Sequence, residues 1–419
     1  MNERSERTIG TGRRAVITGL GTVAPSGMSP DEHWGTVTAG KSMLDWISLF
    51  DASGYPTRIA GEVKGFDVAG RVEGRLVVQT DRWTWMSFLA AEQAIQDTGI
   101  DLATLDPYQL SVVMASSSGG NQFGQRELQR LWSQPGRTVG AYQSIAWFYA
   151  ATVGQLSIRH QAKGPSSVLV SESAGGLESL AHAARTVRRG TSVVLAGGLE
   201  APLSPYALAC QLSTGMLSTG TDPQRAYRPF DVDASGYVPG EGGAVLVVED
   251  LDHALARNAT IYAEIAGWGS THDGRHTVPG VASPSDQYAR SMRLALERGG
   301  VLPSDVDVVI PDAFGVPEFD RSEAEAVDAV FGPGGVPVTS HKSLTGRMYQ
   351  GGSALDAVTA VLAMREQVLP GTTGVDRAAD GCALDFVATT RKSTVDNVLI
   401  GARGIDGYNS AVLLRRYVR

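Results

Sequence analysis

The stretch GPSSVLVSESAGGLES, residues 164–179, puts an apolar run, a turn of small residues and the opening of a helix in direct succession. A strand that feeds a helix through such a turn lifts one side chain to the edge of the sheet, beside the free N–H groups of the helix N-terminus. That is a common mount for a nucleophile. The side chain here is Ser173, and the fold and the function both turn on whether a serine in this place attacks anything.

Outward from this stretch the same alternation recurs. The runs AVITGLG, LSVVMASSS, TSVVLAGG, GAVLVVED, IYAEIAGW, VDVVIPDAF, NVLIGARG and SAVLLRR are apolar with little alternation, as strands are when a sheet is covered on both faces. Between them stand helical patterns such as FLAAEQAIQDTG, LESLAHAARTVRRG, YARSMRLALERGG, EAEAVDAVFG and ALDAVTAVLAMREQ. Strands alternating with helices predict an α/β architecture. A glycine-rich approach, GYVPGEGG or GARGIDGYN, precedes the strand that closes each half, which predicts a duplicated α/β unit. Its halves are read as residues 1–255 and 256–419, divided where LDHALARNAT is polar and helical.

Composition narrows the function. The 419 residues are 42 % hydrophobic, enough for a large core, and 36 Lys and Arg stand against 44 Asp and Glu, a formal charge of -8. That field repels nucleic acid and anionic membranes, so neither is expected as a partner. The two cysteines, Cys210 and Cys382, form no CxxC, and no histidine cluster has metal spacing, so neither disulfide, metal nor cofactor is expected. No apolar run reaches the length of a membrane span and no signal core follows the polar N-terminus, so the chain is read as cytoplasmic. GLG at 19–21 lacks the third glycine of a dinucleotide turn, so no nucleotide is expected there.

Four motifs in order, GPSSVLVSESAGGLES, YRPFDVDASGYVPGEGGAVLVVED, HKSLTG and GIDGYNSAVLL, resemble the β-ketoacyl synthases over nearly the whole chain. The resemblance implies the thiolase-like fold, two α/β halves in a layered α-β-α-β-α stack. Catalytic members of that family carry a cysteine nucleophile at the strand-to-helix turn and two histidines that polarise the thioester carbonyl of the extender unit. Matched residue by residue, Ser173 stands at the cysteine, Phe314 at the first histidine and Arg347 at the second, while Lys342 matches the family lysine. Phenylalanine carries no proton, arginine stays charged near neutral pH, and His341 lies one position before the lysine and is no substitute. No base for Ser173 is visible in the sequence.

This pattern of losses, with residues 116–160, resembles the chain length factor, or ketosynthase β subunit, of aromatic type II polyketide synthases. The resemblance implies a heterodimer with a catalytic ketosynthase α subunit, an acyl carrier protein presenting the malonyl or polyketide chain, and a tunnel whose closed end lies in this subunit. Such subunits usually carry glutamine where this chain has Ser173, which leaves a priming role tied to that glutamine without its residue.

NQFGQRELQRLW predicts a helix on which Asn121, Gly124 and Leu128, at i, i+3 and i+7, share one face. By the resemblance these are the gate positions of the tunnel, and the lack of bulk at Gly124 leads us to expect a long product. Tyr142, Trp147 and Phe148 are read as subunit interface or tunnel wall, although an ordinary core explains them as well; Trp83 and Trp85 are equally ambiguous. Two other functions stay open at this point: an acyltransferase or condensing enzyme that uses Ser173, and a scaffold that binds carrier protein without setting length.

Overall fold

The computed structural model describes residues 12–133, 135–136, 138–274, 281 and 284–418. The first half carries the strands β1 (Ala15–Val23), β2 (Leu110–Ala115), β3 (Ser167–Leu169), β4 (Val193–Glu200) and β5 (Gly242–Asp250). The second carries β6 (Ala263–His272), β7 (Val308–Ile310), β8 (Pro337–Val338), β9 (Asp385–Phe386), β10 (Asn397–Arg403) and β11 (Tyr408–Arg416). The main helices are α1 (Arg82–Thr98), α2 (Asn121–Ser133), α3 (Ala151–Arg159), α4 (Gly175–Arg188), α5 (Ser285–Gly299), α6 (Pro317–Phe331) and α7 (Gln350–Glu366).

The strands follow the order β9-β8-β7-β10-β11-β6-β1-β5-β4-β2-β3. Within it the halves repeat each other: β3, β2 and β4 are parallel and β5 and β1 antiparallel, as β8, β7 and β10 are parallel and β11 and β6 antiparallel. The halves join through β1 and β6 at only two register pairs, Val16 with Glu264 and Ile17 with Ala263. This is the duplicated α/β architecture that the repeated motifs imply.

The layers follow from where the apolar surface lies. Along β5, Leu246 and Val248 pack toward the central helices and Val245 and Val247 toward the outer ones, so both faces of the strand are covered and its run is apolar without alternation. Helices α4 and α7 lie between the two half-sheets and touch strands of both; α1 and α3 cover the outside of the first, and α5, with α6 along it, the outside of the second. Every residue of α7 from Gln350 to Met364 is buried, its polar side chains Gln350, Ser353, Asp356 and Thr359 each taken up by a partner. At Gly176 of α4 a Cβ would stand 2.3 Å from the Gln350 carbonyl oxygen, so the two central helices meet at their N-termini only because the residue is glycine.

Strand ends aim loops at that meeting point. The turn Glu172–Ala174 between β3 and α4 lies against α7, β10 and β11. Trp83 is fully buried and Trp85 half-buried in the outer core of the first half.

Candidate functional site

Ser173 sits in the turn before α4, 1 % exposed, directly after Glu172, whose φ is +49°. The Ser173 hydroxyl donates to Glu172 Oε1 at 3.2 Å, and its carbonyl accepts from Ser353 Oγ on α7. The Glu172 carboxylate is already engaged: Oε2 accepts from Arg347 Nη2 and from the Ile405 N–H, each at 3.2 Å. Burial pushes the Glu172 carboxyl up, and the Arg347 charge offsets only part of that rise.

Arg347 is 2 % exposed, and its two terminal nitrogens bridge several acceptors while its Nε has no hydrogen-bond partner among the described residues. Its Nη1 donates to Asp312 Oδ2 at 2.6 Å and its Nη2 to the Arg403 carbonyl at 2.9 Å. Beneath it lies the Phe314 ring, its centre 3.8 Å from the guanidinium carbon, stacked in turn on Phe319 at 4.6 Å and met edge-on by Tyr237 at 5.5 Å. Residue 314 is held by α6. The N–H groups of Asp312 and Ala313 donate to Glu323 at 2.7 and 2.8 Å, and that of Gly315 donates to Asp320 at 2.8 Å. Burial raises both carboxyls, Asp320 to about 8 and Glu323 to about 7.

The structure therefore brings Ser173, Phe314 and Arg347 together around a buried Glu172–Arg347–Asp312 ion cluster. No imidazole or thiol is bonded to any of them among the described residues. Lys342 does not join the cluster. Its ammonium pairs with Asp356, whose other oxygen lies 3.1 Å from His341 Nε2. Burial works against the Asp356 charge, but Lys342 and His341 outweigh it and hold the carboxyl below its usual range. His33 sits beside His341, bonded to Ser26 and Thr359, and burial together with His341 drives it down to about 3, so it stays neutral.

Glu172 and Asp312 escaped the sequence reading, although each lies within two residues of a matched position. The signal was there, because a buried arginine requires carboxylate partners. A second missed residue is Glu200, at the end of β4. Its Oε1 accepts from Ser116 Oγ at 3.1 Å, from the N–H groups of Ser117 and Ser118 at 2.7 and 3.0 Å, and from Gln350. Ser117 Oγ accepts the Glu172 N–H at 3.2 Å, so one polar network joins the Ser173 turn to the loop that starts α2.

On α2, Asn121 is buried and its amide donates to Ser118 Oγ and, at 3.3 Å, to the Gly119 carbonyl, while Leu128 is 39 % exposed. Gly124 faces the Trp147 indole. Tyr142, Trp147, Phe148 and Tyr149 are all partly open to solvent in the single chain. Among the described residues no cluster of His, Cys, Asp and Glu is arranged to hold a metal ion, and no helix is long and apolar enough to cross a membrane.

The family model "Beta-ketoacyl synthase, N-terminal domain" matches residues 12–254 and "Beta-ketoacyl synthase, C-terminal domain" residues 262–376. The chain is 52 % identical over 405 residues to the tetracenomycin polyketide synthase ketoacyl synthase beta subunit of Streptomyces glaucescens, covering 96 % of this chain and 98 % of that one. Its structure is similar to the ishigamide ketosynthase/chain length factor, with a TM-score of 0.91, 26 % identity and 97 % and 100 % of the two chains covered. It is also similar to a type II polyketide synthase acyl carrier protein complex with its ketosynthase bound to a hexaketide, with a TM-score of 0.88, 25 % identity and the same coverage.

Proposed function

Since the chain belongs to the β-ketoacyl synthase family, we propose that it is a chain length factor, the non-catalytic half of a type II polyketide ketosynthase. It pairs with a catalytic ketosynthase α subunit in the cytoplasm, receives the chain from an acyl carrier protein, and sets product length with a tunnel ending against Asn121, Gly124 and Leu128.

One observation carries the reading: Arg347 and Phe314, which the motif match sets at the family's two histidines, form a buried guanidinium paired with Glu172 and Asp312 and seated on a ring, with no imidazole bonded to them among the described residues. An arginine so paired neither takes nor gives a proton near neutral pH, and Ser173 donates to a carboxylate that is already occupied. The relatives support the same reading, since one that is 52 % identical is named a ketoacyl synthase beta subunit and a structural neighbour is named a ketosynthase/chain length factor.

The test is reconstitution with a ketosynthase α subunit, acyl carrier protein and malonyl thioester. The chain alone should release nothing, the pair should release polyketide, and Asn121→Phe or Leu128→Phe should shorten it. Condensation by the isolated chain overturns the proposal.

A further inference from the structure

The motif SSSGGNQFG, residues 116–124, spaces three glycines along the start of α2, and the structure gives all three one neighbour. A Cβ at Gly120 would stand 2.0 Å from the Ala146 carbonyl oxygen, one at Gly119 would stand 2.4 Å from that of Trp147, and one at Gly124 would stand 2.7 Å from Trp147 Cδ1. The Gly120 N–H donates to the Trp147 carbonyl at 3.3 Å. The glycines form a trough in which the 146–147 backbone is seated, and the five-membered edge of the indole fills the room above Gly124. About half of the Trp147 surface stays open in the single chain.

We propose that Trp147 is a specificity-determining residue for product length, supplying at the end of the tunnel the bulk that Gly124 lacks. The inference rests on the chain-length reading above. A glycine at a gate position leaves room only if nothing else enters it, and here the indole enters from a segment more than twenty residues away. The ring is planar and has only two side-chain torsions, and its backbone is pinned at the trough, so it yields little to an advancing apolar chain. Length is then set by a helix and an aromatic side chain acting together.

The experiment uses the heterodimer with its α subunit, acyl carrier protein and malonyl thioester, and reads the mass of the released polyketides. Trp147→Ala should lengthen the main product by at least one two-carbon unit, and Trp147→Phe should restore a product close to the wild-type length. Gly124→Ala, whose methyl must push the indole outward, should shorten it, which keeps the proposal testable if Trp147→Ala fails to assemble. Gly124→Phe combined with Trp147→Ala should return the product toward the wild-type length. A lower yield with unchanged length in Trp147→Ala means that the indole only supports the fold and overturns the inference, while shortening by Leu128→Phe in the same assay leaves the chain-length reading standing. Unchanged length in the Asn121, Leu128 and Trp147 variants alike sinks both.

Discussion

The guanidinium carbon of Arg347 stands 3.8 Å from the centre of the Phe314 ring, so the two residues that the motif match sets against the family's histidines hold each other. A desolvated pair of this kind contributes about 2 kcal/mol, and the ring closes one face of an arginine whose edges are taken by Asp312, Glu172 and the Arg403 carbonyl. The space around these two residues is filled by a buried ion cluster of one guanidinium and two carboxylates.

Arg347→Ala should therefore destabilise the protein strongly. It leaves Glu172 and Asp312 buried without their cation, a loss on the order of 3–5 kcal/mol. Arg347→Lys should recover little of it, because a single ammonium cannot span both carboxylates and the carbonyl in the plane that the fork uses. Thermal unfolding of the heterodimer measures both, and a melting temperature unchanged in Arg347→Ala would show the cluster to be idle.

Ser173 should stay unacylated. Its hydroxyl is 1 % exposed and donates to a carboxylate that Arg347 already neutralises. After incubation with malonyl or acyl carrier protein, the peptide bearing Ser173 should keep its unmodified mass, and Ser173→Ala should leave the product yield of the heterodimer intact. Ser173→Cys should resist iodoacetamide, since burial beside Glu172 disfavours a thiolate. An acyl adduct on the wild-type peptide would refute the assignment.

Much of this was legible in the sequence, for definite reasons. β5 reads as a strand because GAVLVVED is apolar without alternation, Val245 and Val247 packing on one side and Leu246 and Val248 on the other, and α7 reads as a helix from ALDAVTAVLAMREQ, while its burial on all sides emerged only from the structure. The strands β8 and β9, two residues each, are too short to carry any period, and they emerged only from the sheet. At the site, motif order located Ser173, Phe314 and Arg347, but the pairing of Arg347 with Glu172 and Asp312 joins residues far apart in the chain. Gly124 and Trp147 were each singled out in the sequence, but their contact was not legible there, for the same reason: local spacing reports a helix face and is silent about what another segment lays on it.

Glu200 should give the fold a measurable pH dependence. Burial pushes its carboxyl from an ordinary 4.5 up to about 7, with four donors on Oε1 and none on Oε2. Below about 4.5 the group is protonated folded or unfolded, and its contribution is fully present. As pH rises to about 7 the unfolded chain releases the proton first, so stability falls across that window by up to about 3 kcal/mol and then levels off. Glu200→Gln keeps the accepting oxygen and sets an amide where Oε2 has no partner, so it should melt close to the wild type at pH 5 and above it at pH 8. Parallel melting curves at both pH values would mean that Glu200 does not titrate there.

The exposed aromatic run should be where the α subunit binds. Within eight residues Tyr142, Trp147, Phe148 and Tyr149 are each at least 38 % exposed, and the Phe148 and Tyr149 rings touch at 4.6 Å. Large rings gathered in this way on one surface segment mark an interaction site. Phe148→Asp should weaken pairing by at least about 2 kcal/mol, roughly thirtyfold in Kd, because a carboxylate would be buried where a ring was. It should leave the single chain folded, since Phe148 is 48 % exposed there. Size-exclusion chromatography of the mixed subunits reads the first effect and circular dichroism of the chain the second. Undiminished pairing in Phe148→Asp would place the α subunit on another face of the molecule.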